Sequence, residues 1–341
     1  MANFATRIEW RLRYTAGKVS AATSSAFWTL VGALTPKRLP PEVEVLESES
    51  RSDVDLFWGE HTVNSKPFKA AGESERYLAW RAEIYPLFTE FMQLYGSHDD
   101  QVVLDYGCGP GNDLVGFALY SRAKEIIGID ISEKAIELAR QRLALHGVAP
   151  ERIRLLRTVD TIVKIPIETN SVDYIHCAGV LHHTSHPEIL LAEFRRILKP
   201  AGEACVMVYN LDSVWFHLFV AYKKLIVEQA FPGQSASEIF HRTVDVEADG
   251  TGNCPLARCY RAEDFMKLCE ASGFRTQYVG GYLTDVELTA LQEYERAALA
   301  DPHLSETHKE FLRSLTKDER GYPRYRGMHA GLGGVYRLFK D

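Results

Sequence analysis

At 341 residues, with 46% hydrophobic and 25% charged residues, the chain has the make-up of a globular protein that buries one core with additions, and is neither collagen-like nor disordered. The formal net charge of -7 lacks the basic excess of a protein that neutralises many phosphates, so nucleic acid is not an expected partner. The six cysteines, Cys108, Cys177, Cys205, Cys254, Cys259 and Cys269, form no C-x-x-C pair and read as reduced thiols of a cytoplasmic protein; Cys254 and Cys259 lack the matching Cys/His pair of a metal site, so no metal is expected.

Residues 1–40 form a leader of their own. Arg7, Arg11, Arg13, Lys18, Lys37 and Arg38 face only Glu9, with Arg7, Arg11 and Lys18 on one side of a helical wheel and Ile8, Leu12, Val19 and Leu30 on the neighbouring side. The uncharged run Val19 to Leu34 is shorter than the ~20 residues of a membrane span and is diluted by Ser20, Thr23, Ser24 and Ser25. It has no secretory cleavage pattern. Two readings stay open: a helix packed on the domain or on a second subunit of an oligomer, and an interfacial helix through which residues 1–34 touch a membrane peripherally.

Pro36, Pro40 and Pro41, followed by the acidic stretch Glu42 to Asp55, predict a linker. Within residues 41–100, Tyr77, Trp80, Ile84 and Leu87 predict one helix from Glu73 to Leu94 that covers the sheet entrance. Residues 101–210 alternate short apolar runs with amphipathic segments. Strands are expected at Val102–Leu104, Ile126–Ile129, Ile153–Leu156, Val172–Cys177 and Glu203–Tyr209. Helices are expected from Asn112, from Ser132 as N-cap through Ala144, and over Pro187–Leu198. Residues 211–273 read as a substrate-side insertion containing Trp215, Phe216, Phe219 and Tyr222, then a helix over Arg261–Ala271. Residues 274–341 read as the last strands, Phe274–Val279 and Val335–Phe339, around helices near Asp285–Leu299 and Ser305–Leu315. This alternation predicts an α/β fold: a doubly wound, seven-stranded, mostly parallel sheet.

The segment Asp105-Tyr106-Gly107-Cys108-Gly109-Pro110-Gly111 ends a strand in an acid and turns through three alternate glycines, where a side chain would keep a ligand from the backbone. It is not the nicotinamide fingerprint G-x-G-x-x-G, because the third glycine comes one residue early and Asn112 stands in its place. Asp130 ends the second strand, where a carboxylate accepts both hydroxyl protons of a ribose. The pair points to a nucleoside cofactor.

With Ile129-Asp130-Ile131-Ser132, Ser171-Val172-Asp173-Tyr174, Gly179-Val180-Leu181-His182-His183 and Leu198-Lys199-Pro200-Ala201-Gly202, the glycine loop resembles class I S-adenosylmethionine-dependent methyltransferases, especially the type 11 group, over roughly residues 100 to 210. The resemblance implies S-adenosyl-L-methionine as cofactor, with Gly107 and Gly109 at the methionine end and Asp105, Cys108 and Gly111 among the cofactor-binding residues. It places Asp130 on the ribose, Ile131 on one adenine face, and Cys177 and Ala178 along the sulfonium side. The family's acid after the third strand has its equivalent in Thr158-Val159-Asp160-Thr161-Ile162, where Asp160, with Thr161, either reads the adenine amino group or is a solvated loop acid. The implied reaction is in-line displacement of the methyl group by a substrate nucleophile.

His182 and His183 lie at the ligand edge of the sheet, as a base for a hydroxyl acceptor or as structural residues. Cys177-Ala178-Gly179-Val180 departs from the Asn-Pro-Pro-aromatic motif of many amide and nucleobase methylators. The aromatic stripe and the tail Tyr322-Pro323-Arg324-Tyr325-Arg326-Gly327-Met328-His329 are either acceptor-binding or, respectively, core and solvated loop. The expected acceptor is a small or lipid-linked molecule. The alternatives are a cofactor-binding regulatory protein without turnover, and a methyltransferase acting on RNA or protein.

Overall fold

The computed structural model describes residues 41–340 apart from 47–50, 64, 95, 97, 162–163 and 246–252; the leader expected over residues 1–40 lies outside them. The chain enters through β1 (Val43–Val45), α1 (Asp53–Glu60), α2 (Ala71–Ile84) and the single turn α3 (Phe88–Phe91). Where a linker was expected, Val-Glu-Val therefore pairs as an edge strand, and Ser52 with Asp55 forms a capping box that starts α1. The single helix expected from Glu73 to Leu94 is two. Pro86 disfavours helical backbone at Tyr85, and Leu87 takes a positive φ of 74°.

The core follows as β2 (Val102–Tyr106), α4 (Asn112–Tyr120), β3 (Glu125–Asp130), α5 (Glu133–Leu145), β4 (Ile153–Arg157), β5 (Val172–Ala178), α6 (Pro187–Ile197) and β6 (Leu198–Asn210). Ser132 caps α5, its hydroxyl accepting from Ala135 N at 3.3 Å. Strand β6 starts earlier than expected because Leu198 already pairs with Val172, ahead of a register shift. Beyond it lie α7 (Trp215–Val227), wound as a π-helix, then α8 (Ala236–Val244), β7 (Cys259–Tyr260), α9 (Ala262–Ala271), β8 (Phe274–Tyr282), α10 (Asp285–Ala300) and α11 (Glu306–Arg313). The chain closes with β9 (Thr316–Lys317), β10 (Pro323–Tyr325), β11 (Met328–His329) and β12 (Gly333–Lys340).

The main sheet runs β1-β4-β3-β2-β5-β6-β12-β8, parallel except that β12 is antiparallel to both β6 and β8, and β7 adds to β6. It has nine strands rather than seven, because β1 and β7 are pairings of three and two residues, too short to show a period. One face packs Leu114, Phe117, Ile136 and Leu143 beneath Phe88 and Phe91; the other packs Leu191, Phe194 and Phe265. A third cluster holds α7, α8, α10 and α11 together, and the aromatic stripe Trp215, Phe216, Phe219 and Tyr222 is buried in it as core. The tail 323–329 folds into the small sheet β11-β10-β9, with the Arg326 side chain exposed.

His217 lies inside that third cluster, stacked on Phe311 at 3.9 Å and 9° with its Nδ1 2.9 Å from His308 Nδ1. Burial pushes its ionisation from 6.5 down to about 3. The unfolded chain therefore takes up a proton near pH 6.5 that the folded chain refuses, so stability is lost as pH falls below 6.5. His217→Phe keeps the ring and removes the titration. Between pH 7.5 and 5 the wild type is expected to lose about 1–2 kcal/mol more than this variant, read by urea unfolding at each pH. Parallel losses in both proteins would count against it.

Candidate active site

Strand β2 lies between β3 and β5: the chain runs from β2 through β3 to β4 on one side and crosses back from β4 to β5 on the other. The crevice beyond the carboxyl ends of β2 and β5 is the switch point at which doubly wound sheets hold ligands. The glycine loop follows β2 there, with positive φ at Gly107 (75°), Gly109 (53°) and Gly111 (78°). A Cβ on Gly107 would lie 2.1 Å from Val180 Cγ2, and one on Gly111 3.0 Å from Ala139 Cα, so these two glycines admit protein neighbours. A Cβ on Gly109 would meet nothing within 4 Å: the middle glycine opens onto the cavity. The loop is tied to β3 by Gly107 N and Cys108 N, both donating to Ile129 O, at 2.7 and 2.9 Å.

Asp130 is fixed from two sides. Its Oδ2 accepts from Gly109 N and its Oδ1 from Ser132 N, each at 2.8 Å, while Ser132 Oγ also meets Thr62 Oγ1 at 2.9 Å. Burial raises the Asp130 pKa, and these backbone donors oppose the shift. A carboxylate in the cavity wall beside a glycine that leaves open space fits an adenosyl cofactor, whose ribose hydroxyls donate to such an acceptor.

The cavity has a volume of about 310 Å³ and brings together Gly107, Cys108, Gly109, Asp130, Ile131, Asp160, Ala178 and His183. Asp105, Gly111, Thr161, Cys177 and His182 are not in its wall. Asp105 is buried beneath the loop, its Oδ2 without a hydrogen-bond partner, and burial, opposed by His176, pushes its ionisation up to about 7. Cys177 and His182 are fully buried, and His182 stacks at 3.9 Å on Tyr209. Burial drives the Cys108 thiol up and His182 down, so both are neutral. Asp160 is no solvated loop acid: its carboxylate accepts from Thr184 Oγ1 at 2.6 Å and from Ser185 N at 3.2 Å, tying the turn after β4 to the turn after β5.

Several wall residues gave no sequence signal because they come from distant segments. Trp58 and Thr62 arrive from the end of α1, Arg81 and Tyr85 from α2, Tyr209 from β6, Asp245 from the end of α8 and Tyr282 from β8. Arg81 forks onto Asp113, Nη2 to Oδ2 at 3.2 Å, and His176 Nε2 donates to the same Oδ2 at 3.1 Å. Against the cost of burial, Arg81 and His176 hold Asp113 well below the carboxylate range, so a charged pair sits in the cavity wall. Among the described residues, His183, Asp245 and Cys254 bring atoms of metal-ligand type within 4.8 Å of one another. The His183 Nδ1 and the Cys254 thiol both donate to Leu256 O, at 2.8 and 3.3 Å, so the group is a hydrogen-bond network.

Residues 97–249 match the model of a methyltransferase domain family. The chain carries a methyltransferase domain over this stretch. It is similar to an uncharacterised methyltransferase of Schizosaccharomyces pombe, 32% identical over 137 residues that make up 40% of this chain and 48% of that protein. It is also similar to a ubiquinone biosynthesis O-methyltransferase of Neisseria meningitidis serogroup A, 27% identical over 146 residues, 42% of this chain and 59% of the relative. Among solved structures, an S-adenosylmethionine-dependent methyltransferase from Mesorhizobium loti is similar at a TM-score of 0.45 and 16% identity, over 74% of this chain and 96% of that one. The chain spans about half the length of the curated relatives it matches. The methyltransferase domain begins just before β2 and ends just after α8, so it contains the glycine loop, Asp130, His183 and Asp245.

Proposed function

We propose that the chain transfers the methyl group of S-adenosylmethionine to a small-molecule or lipid-linked acceptor by direct in-line displacement. The observation that carries this reading is the open Gly109 beside Asp130 in one cavity with Ala178, His183 and a wall of aromatic residues. In this reading Asp130 accepts from the ribose hydroxyls, Ile131 lies against the adenine and the glycine loop takes the methionine end. Asp105 and the Arg81–Asp113 pair set the charge there. Bound cofactor supplies an electrophilic methyl whose bonding pair departs with sulfur. The protein's part is to hold the acceptor in line and dry, which the buried Tyr209, Tyr282 and Leu332 serve.

Oxygen is the favoured acceptor atom, since curated relatives are named O-methyltransferases. RNA is disfavoured by the net charge of -7. Titration calorimetry with S-adenosylmethionine and S-adenosylhomocysteine, followed by labelled-methyl transfer to small-molecule and lipid extracts, tests the proposal. Cofactor binding with no transfer to any extract would favour a regulatory protein instead.

A lipid-linked acceptor, met by a cytoplasmic protein resting on a membrane, is supported by the basic amphipathic pattern of residues 1–34. Among the described residues no helix is long and apolar enough to cross a membrane. Anionic liposomes are expected to pellet the full chain and to leave a form lacking residues 1–40 in solution. Equal pelleting of both forms would remove the support.

A further inference from the structure

The turn after β5 brings His183 to the cavity wall, and its neighbours determine the chemistry of its ring. Nδ1 lies 2.8 Å from the carbonyl oxygen of Leu256. A carbonyl only accepts, so Nδ1 carries the ring proton and Nε2 of the neutral ring presents a lone pair. Nε2 lies 3.5 Å from Asp245 Oδ1, an oxygen held by the Tyr209 hydroxyl, which donates to it at 2.5 Å. Trp58 and His182 close on the ring with centroids at 4.9 and 4.2 Å. The segment after residue 252 braces the same turn, Arg258 N donating to His182 O at 2.9 Å and Arg258 Nη1 to Thr184 O at 2.6 Å. A turn held in this way keeps one ring atom at one place in the wall.

We propose, resting on the methyltransferase reading above, that His183 Nε2 is the base that takes the proton of a hydroxyl acceptor, with Asp245 placed to receive the imidazolium, so that the acceptor is a phenol or enol. An amine attacks through its own lone pair and sheds its proton to water afterwards, so a built base serves it little. A neutral hydroxyl becomes a strong acid only as its oxygen bonds to carbon, and the proton must leave at that moment. The balance is complete within these groups. An oxygen lone pair forms the O–CH3 bond while the S–CH3 pair stays on sulfur, yielding S-adenosylhomocysteine. The O–H pair stays on oxygen, and the proton passes to Nε2 and then to solvent.

Tyr85, Met207, Tyr282 and Leu332 give the same cavity the apolar wall that an aromatic or enolic ring requires. Among the described residues, the titratable groups facing His183 are His182, Tyr209, His241, Asp245 and Cys254. Burial pushes the His183 ionisation down to about 4, so the ring is a free base throughout the neutral range, and the Asp245 carboxyl group lies 3.5 Å from the atom at which the proton arrives.

The test uses the full chain. Calorimetry with S-adenosylhomocysteine comes first: no binding by the wild type would sink the methyltransferase reading itself, and binding retained by His183→Ala separates the two questions. With labelled cofactor, the probes are catechol, the more acidic 4-nitrocatechol, and aniline. The wild type is expected to methylate the catechols. His183→Ala is expected to lose at least about 100-fold in kcat on catechol at pH 7, to lose less on 4-nitrocatechol, and to gain about tenfold per pH unit. Asp245→Asn should shift the kcat profile with pH while leaving KM in place. Nitrogen-15 histidine spectra supply a readout free of turnover, with the His183 signal, identified by its loss in His183→Ala, showing a protonated Nδ1. A cofactor-binding wild type that methylates aniline but neither catechol, a His183→Ala variant as fast as wild type on catechol, or a proton on Nε2 would each overturn the proposal.

Discussion

Asp130→Ala is expected to weaken S-adenosylmethionine and S-adenosylhomocysteine binding by about 10²–10⁴-fold, which at ordinary concentrations reads as no binding. Hydrogen bonds to a charged acceptor contribute about 1.5–3 kcal/mol each, and a ribose offers two donors to this carboxylate. The effect extends beyond the ligand. Oδ2 orients Gly109 N and Oδ1 orients Ser132 N, so the substitution also loosens the middle of the glycine loop and the first turn of α5. Asp130→Asn keeps one oxygen but turns a donor toward one of those N–H groups, and is expected to fall between wild type and alanine. Titration calorimetry measures both, with circular dichroism to establish that each variant is folded. Wild-type affinity in folded Asp130→Ala would show that this carboxylate is not the ribose site.

Arg142→Ala is expected to cost about 3–5 kcal/mol of stability, as truncating a large buried side chain combines a cavity with the loss of its hydrogen bonds. The guanidinium is 1% exposed. It donates from α5 to Ser74 Oγ at 2.6 Å and to Ser74 O at 3.3 Å in α2, and also to Asn112 Oδ1 at the start of α4. It further lies over the Phe68 ring at 4.4 Å, and His146 Nε2 shares Ser74 Oγ at 2.9 Å. Truncation opens a cavity and leaves three acceptor atoms short of a donor. Arg142→Lys retains the charge without the planar fork and is expected to recover only part of the loss. Because α2 also carries Arg81 into the cavity wall, cofactor affinity should fall together with the urea midpoint. An unchanged midpoint would mean that α2 is held by its apolar face alone.

The two sites differ in how visible they are in the sequence. Gly107, Gly109, Gly111, Asp130 and Ser132 belong to two short strand-turn-helix units, and local backbone rules connect each residue with its neighbours. Arg81, Asp113 and His176 are separated by 32 and 63 residues, and nothing in their spacing announces a network. Asp245 is likewise 36 residues from Tyr209, whose hydroxyl holds it. Chain order carries no distance for such pairs; helix packing and sheet order do.

The alternation of apolar runs and amphipathic segments determined by itself the α/β fold and its largely parallel sheet, and the glycine turn after the first core strand. Hydrophobic periodicity and turn chemistry act within a few residues, where a sequence is its own structure. Only the tertiary structure decided that the aromatic stripe from Trp215 to Tyr222 is core and that β1 and β7 lengthen the sheet. Tertiary packing also separates the two histidines, leaving His182 in the interior and His183 in the wall. Those outcomes depend on which surfaces meet across long loops, and that is settled by the burial of apolar area over the whole molecule rather than by any local preference.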